Sequence, residues 1–177
     1  MLFFPSKETV GIPGFSFEIP EGWSVTHPDH VLFCVIHPQE VFSPNTVVAL
    51  DRRSGDIAGD VIMGEMSEYV ASLKNSHVTG QQSGVNDLGQ EWSVQDAHSR
   101  LRHVSGAEMK RGQEWSVIEY TYDHEIGPLA SSLAVLTVRH DGVADVYRFH
   151  STVAGEGAAE DLKKIHGFLS SIRIAEK

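Results

Sequence analysis

Ten histidines in 177 residues raise metal chemistry first. His27 and His30 flank Pro28-Asp29, His98 and His103 flank Arg100, and Asp123-His124-Glu125 and His140-Asp141 are adjacent sets. A zinc site ordinarily presents two ligands from one helix or strand face at fixed spacing. No His-Glu-x-x-His occurs in the chain. His27, Asp29 and His30, in a turn-like stretch, are therefore the best candidate ligands. The opposing reading, solvated loop histidines with partial charge below neutral pH, is preferred. No metal or other cofactor is expected, and no catalytic residue is assigned.

Nucleophilic chemistry finds no better footing. A Gly-x-Ser-x-Gly elbow is missing, since Gly14-Phe-Ser16-Phe-Glu18 fails at its last position. Cys34 lies between Phe33 and Val35 in an apolar run. Burial there would raise its pKa and make it a small core residue. Gly155-Glu-Gly157-Ala-Ala-Glu160 has the setting of a dinucleotide turn but places an acid where the third glycine belongs. Glu156, Glu160 and Asp161 read instead as acids complementing a helix dipole.

Binding residues are more plausible than reacting ones. Arg100, Arg102, Arg111, Arg139 and Arg148 fall in or near the later strands. Any that share a sheet face could receive a carboxylate or an acidic peptide; surface salt bridges are the plainer alternative. The aromatics, among them Trp92, Trp115 and Tyr120, are expected mostly in the core. Trp23 follows a Pro20-Glu-Gly22 turn, where core packing is favoured and a ligand groove is the alternative. Trp23, Arg139 and Arg148 are the candidate groove residues.

The elements that must position these residues follow from periodicity. Residues 1–13 read as a loose lead-in. Strands are expected at Phe15–Ile19, Val31–Ile36, Thr46–Leu50, Trp115–Tyr122, Leu133–Arg139 and Val143–His150, the last two joined by an Asp141-Gly142 hairpin turn. Ile172 and Ile174 suggest a short last strand. Ala58, Ile62, Met66, Tyr69 and Leu73 recur at helical steps, predicting a helix over 57–75 with Asp56 as its cap. Gly59 and Gly64 weaken it by about 1 kcal/mol each relative to Ala. A second helix is predicted over 158–169 with Leu162, Ile165 and Leu169 inward. Residues 79–90, rich in glycine, read as loop or edge hairpin. The stretch 92–109 fits strand or helix, and strand is preferred. Glu-Trp-Ser-Val occurs at 91–94 and again at 114–117, too short for a repeat fold.

Bulk figures limit the function classes. Lys plus Arg total 14 against 24 Asp plus Glu, a formal charge of −10, which argues against nucleic-acid binding. Hydrophobic residues at 41% suit a single packed domain, and no apolar run reaches the ~20 residues of a membrane span. One cysteine excludes an intrachain disulfide and a thiolate zinc site. The N-terminal apolar run stops at Pro5, so a cytoplasmic location is expected. Strict βαβ alternation is absent, so the fold class is α+β, an antiparallel sheet with helices packed against it.

Phe17-Glu-Ile-Pro20-Glu-Gly22-Trp23, an apolar strand, Phe42-Ser-Pro44-Asn45-Thr-Val-Val48 and an amphipathic helix follow one another in the first half. This order resembles the PsbP-like superfamily, which includes the Ran-binding Mog type, and is most similar to bacterial LpqN-type proteins. The closing hairpin and helix with Ser170-Ser171-Ile172-Arg173 match in order, so the resemblance spans most of the chain. It implies an α/β/α sandwich and no shared catalytic set. The expected function is a non-enzymatic binding or adaptor domain that presents a sheet face or groove to a protein partner or hydrophobic segment. The alternatives are a small hydrolase or metal-dependent enzyme using His and Asp residues, and a small-molecule carrier.

Overall fold

The computed structural model describes residues 2–4, 15–86, 113–155 and 157–174. The expectations for 92–109, the first Glu-Trp-Ser-Val copy, and those for Trp92, His98, Arg100, Arg102, His103 and Arg111 lie outside the described residues. The chain runs β1 (Leu2–Phe4), β2 (Phe15–Phe17), β3 (Ser24–Thr26), β4 (Phe33–Ile36), β5 (Asn45–Ser54), α1 (Gly59–Ser72), β6 (His77–Asn86), β7 (Gln113–His124), β8 (Gly127–His140), β9 (Val143–Ala154), α2 (Ala158–Ser170) and β10 (Arg173–Ile174).

Seven strands form one sheet in the order β3-β4-β5-β9-β8-β7-β6, and every pairing in it is antiparallel. α1 carries the chain from β5 to the far edge, and β6 to β9 return strand by strand until β9 lies against β5. β1, β2 and β10 form a separate antiparallel sheet. Leu2–Phe4, inside the expected loose lead-in, is thus a strand because Phe15–Phe17 gives it a backbone partner. His77–Asn86 is likewise a full edge strand. A bulge lies between Val78 and Gly80, and Gly84 pairs with Trp115 in regular register.

Side-chain alternation divides the core into two layers. On one face Tyr147, Phe149 and Val153 of β9 join Leu136 of β8 and Val48 of β5 under Ile165, Phe168 and Leu169 of α2. On the other, Ala144 and Val146 of β9 join Leu133 and Val135 of β8 and Ile118 of β7 under Ile62, Met66 and Val70 of α1. A helix on each face explains why β8 is buried continuously from Ser131 to Val138, without the polar alternation of a half-exposed strand. The Asp141-Gly142 turn is as expected: φ is +48° and +79°, and His140 pairs with Val143 directly.

α1 differs from its expected form at both ends. It begins at Gly59, with Ala58 at the cap position and no side-chain cap. The Asp56 carboxylate instead accepts from the Ser54 hydroxyl. Its buried stripe is Ile62, Met66 and Val70, while Tyr69 is 42% exposed. In α2, Asp161 does more than meet the helix dipole. It is buried, with the His37 ring nitrogen 3.3 Å from its Oδ1.

Candidate functional site

α1 packs across β7, β8 and the near part of β9, and β5 supplies no residue to the cluster under it. The sheet face between α1 and β5 is therefore left as a cavity of about 510 Å³. Its floor is apolar: Val47 and Ala49 of β5 with Leu133 of β8. Ile62 and Met66 of α1 form the wall. Strand pairing holds the floor rigid, since Val47 and Leu133 both sit opposite His150 and Ala49 sits opposite Arg148.

One end of the groove is charged. Arg53 Nη1 and Nη2 donate to the two Glu65 carboxylate oxygens at 3.2 Å each, and its Nε donates to Asp51. Arg148 Nη2 donates to Glu65 Oε2 at 3.2 Å and lies 3.7 Å from Asp51 Oδ2. β5, α1 and β9 thus each bring a charge to one point. Period two along β5 puts Asp51 and Arg53 on the groove face, and the register with β9 puts Arg148 beside them.

The other end is aromatic. His150 Nε2 lies 2.7 Å from the Tyr120 hydroxyl, and the Tyr69 ring meets the imidazole edge-on at 5.6 Å. Burial lowers the His150 pKa, favouring the neutral ring. Burial pushes the Tyr120 phenol far above its ordinary value. The protonated phenol and the neutral imidazole share one hydrogen bond, whose donor is set by the ring tautomer. Arg148 and His150 are two residues apart on one strand, so the charged and aromatic ends are separated by roughly 7 Å along β9.

Of the three sequence-derived groove candidates, Arg148 alone lines this cavity. Trp23 is 8% exposed on the opposite face, in the α2 core, with its ring stacked 5.5 Å from that of His37. Arg139 does share the groove face, but it is covered by the start of α1. It donates to the Ile57 carbonyl at 2.7 Å and sits 2.9 Å from Glu114 Oε2, both side chains under 10% exposed. Trp23 is thus in the core, the favoured reading, and for Arg139 strand position did not tell which part of the sheet a helix covers.

His27, Asp29 and His30 are exposed on the β3–β4 connection, and the Leu32 carbonyl lies 3.2 Å from His27 Nδ1. Among the described residues no three His, Cys, Asp or Glu side chains gather where they could hold a metal ion. Cys34 is buried with its pKa raised by that burial. No described helix is long and apolar enough to cross a membrane. Arg53, Glu65, Tyr69 and His150 were not singled out from sequence as groove residues. The signals were there in part: Arg148 and His150 share a strand face by spacing, and Tyr69 lies one turn from Glu65.

No family model and no curated protein sequence matches the chain. Among solved structures it is similar to LpqN of Mycobacterium tuberculosis, a protein involved in cell envelope biogenesis. The TM-score is 0.70 at 11% identity, over 96% of this chain and 88% of that one. The chain therefore has an LpqN-like α+β fold. A Bacteroides thetaiotaomicron structure aligns at TM-score 0.46 and 12% identity, over 92% of this chain and 46% of that one.

Proposed function

We propose that the chain is a non-enzymatic binding module of the PsbP-like superfamily whose α1–sheet groove receives an apolar segment of a partner. The cavity of about 510 Å³ with an apolar floor between a charged end and an aromatic end carries this reading. Its size lies within the roughly 300–1,000 Å³ range of sites that enclose a ligand. Burying an apolar group there gains roughly 25 cal/mol per Å² of apolar surface, while the ends fix its direction. The same volume favours a second reading, a small-molecule carrier. LpqN is involved in cell envelope biogenesis, and a non-enzymatic part in a process of that kind is consistent with the groove reading here.

The test is binding of the neutral fluorophore N-phenyl-1-naphthylamine to the full chain. The wild type is expected to bind with enhanced emission. Ala49→Trp, which fills the floor, is expected to weaken binding at least tenfold with its circular dichroism unchanged. No binding by the wild type, or equal binding by the variant, overturns the proposal. Native mass spectrometry of the purified chain separates the two readings, since a retained small molecule supports the carrier. Metal analysis alongside a hydrolase substrate panel tests the non-enzymatic part, and turnover would refute it.

A further inference from the structure

We infer that the groove takes a single-chain amphiphile ending in a carboxylate, with the carboxylate on Arg148 and the chain along the apolar floor; this rests on the carrier reading of the groove. The two arginines of the cavity lining are used differently. All three Arg53 guanidinium nitrogens are engaged, Nε by Asp51 and both Nη by Glu65. Arg148 engages its neighbours through Nη2 alone. Its Nε and Nη1 therefore have no partner among the described residues, and the side chain is 36% exposed.

That arrangement suits a carboxylate. A guanidinium presents two edges of parallel N–H donors, Nε with Nη2 and Nη1 with Nη2. Arg53 holds Glu65 along the second, and since Glu65 takes one Nη2 proton of Arg148, a carboxylate would fork onto Nε or Nη1 together with the other Nη2 proton. Arg148 is held at its base by β9, paired on both sides to Ala49 and Val135. Its head is steadied by Glu65, so little side-chain freedom remains to be lost on binding. The apolar floor begins at Ala49, directly across from Arg148, and continues through Val47 and Leu133 toward His150. An anionic head at Arg148 thus leads its chain straight onto hydrocarbon.

Other head groups fit less well. The charged end is balanced, Arg53 and Arg148 against Glu65 and Asp51, so the head group is chosen by the N–H donors left open on Arg148 and not by net charge. An ammonium head would bring donors to the open donors of Arg148 while Glu65 and Asp51 are already engaged by the arginines, and a hydroxyl head would forgo the charge. The chain carries −10 overall, so long-range steering opposes an anion and the attraction is local. Added salt should leave carboxylate binding unchanged or tighten it, by screening the repulsion.

The experiment displaces N-phenyl-1-naphthylamine from the full chain with decanoate, decan-1-ol and decyltrimethylammonium. Decanoate is expected to displace it at a concentration at least tenfold lower than the other two. Arg148→Gln should bring decanoate within about twofold of decan-1-ol, with the melting curve checking its fold. Equal displacement by decanoate and decan-1-ol in the wild type, a contrast that needs no variant, overturns the carboxylate inference and leaves the groove reading standing. Preferential displacement by decyltrimethylammonium overturns it too. Failure of the fluorophore to bind overturns the groove reading itself.

Discussion

The imidazole of His150 shares the apolar end of the groove with Tyr69, Tyr120, Leu133 and Val47, and burial lowers its pKa. The unfolded chain therefore takes up the proton first as pH falls below the ordinary value of about 6.5. The neutral ring's contribution is complete above that value and is lost as pH falls toward the folded pKa, at up to about 1.4 kcal/mol per pH unit. Melting temperature between pH 7.5 and 5 should fall more steeply for the wild type than for His150→Gln. Parallel curves would refute this. On the opposite face, Asp145 is fully buried and accepts from Arg52 Nε at 2.7 Å and Nη2 at 3.3 Å. Arg52→Ala strips a buried carboxylate of these donors and should cost about 1–3 kcal/mol by denaturant unfolding. The reverse loss is milder, because water can solvate the part-exposed guanidinium.

At the scale of the element, the two α1 glycines separate. Both weaken an isolated helix relative to Ala by about 1 kcal/mol. A Cβ at Gly64 would meet nothing within 4 Å, so Gly64→Ala should stabilise by about 0.5–1 kcal/mol. A Cβ at Gly59 would fall 1.6 Å from Glu114 Oε1. The Glu114 carboxylate is buried and paired with Arg139, which also holds the Ile57 carbonyl at the helix start. Gly59→Ala must push that carboxylate aside and should destabilise by about 1–3 kcal/mol, opposite in sign to its neighbour. Two thermal melts decide it, and a stabilised Gly59→Ala would contradict the packing. Helical spacing made α1 legible in the sequence. The function of Gly59 was not, because it depends on a side chain 55 positions away.

At the scale of the whole molecule, one sheet is covered unequally on its two faces. α2, Trp23 and Phe17 seal one face. On the other, α1 stands over β7, β8 and part of β9, and the groove is the uncovered remainder toward β5. Anything that binds the folded groove and not the unfolded chain must raise the melting temperature by mass action. At a hundred times its Kd, decanoate should add about 2.7 kcal/mol of stability to the wild type. The gain should shrink for Arg148→Gln and vanish for Ala49→Trp, as differential scanning calorimetry can measure.

Local chemistry alone determined β2, β4, β5 and β7 to β10, the Asp141-Gly142 hairpin, both helices and the α+β class, since period two, period 3.6 and turn propensity are properties of neighbouring residues; β1, β3 and β6 are strands through their pairing partners. Burial of Cys34 within its apolar run belongs to the same group. The groove could be decided only in three dimensions. Arg53, Glu65 and Arg148 meet because β9 pairs with β5 across a long stretch of chain and α1 carries Glu65 to the edge of the face they share. Trp23 and Arg139 are excluded because one packs under α2 and the other under the start of α1. Which half of a face a helix covers is settled by packing between distant segments, and no local pattern records it.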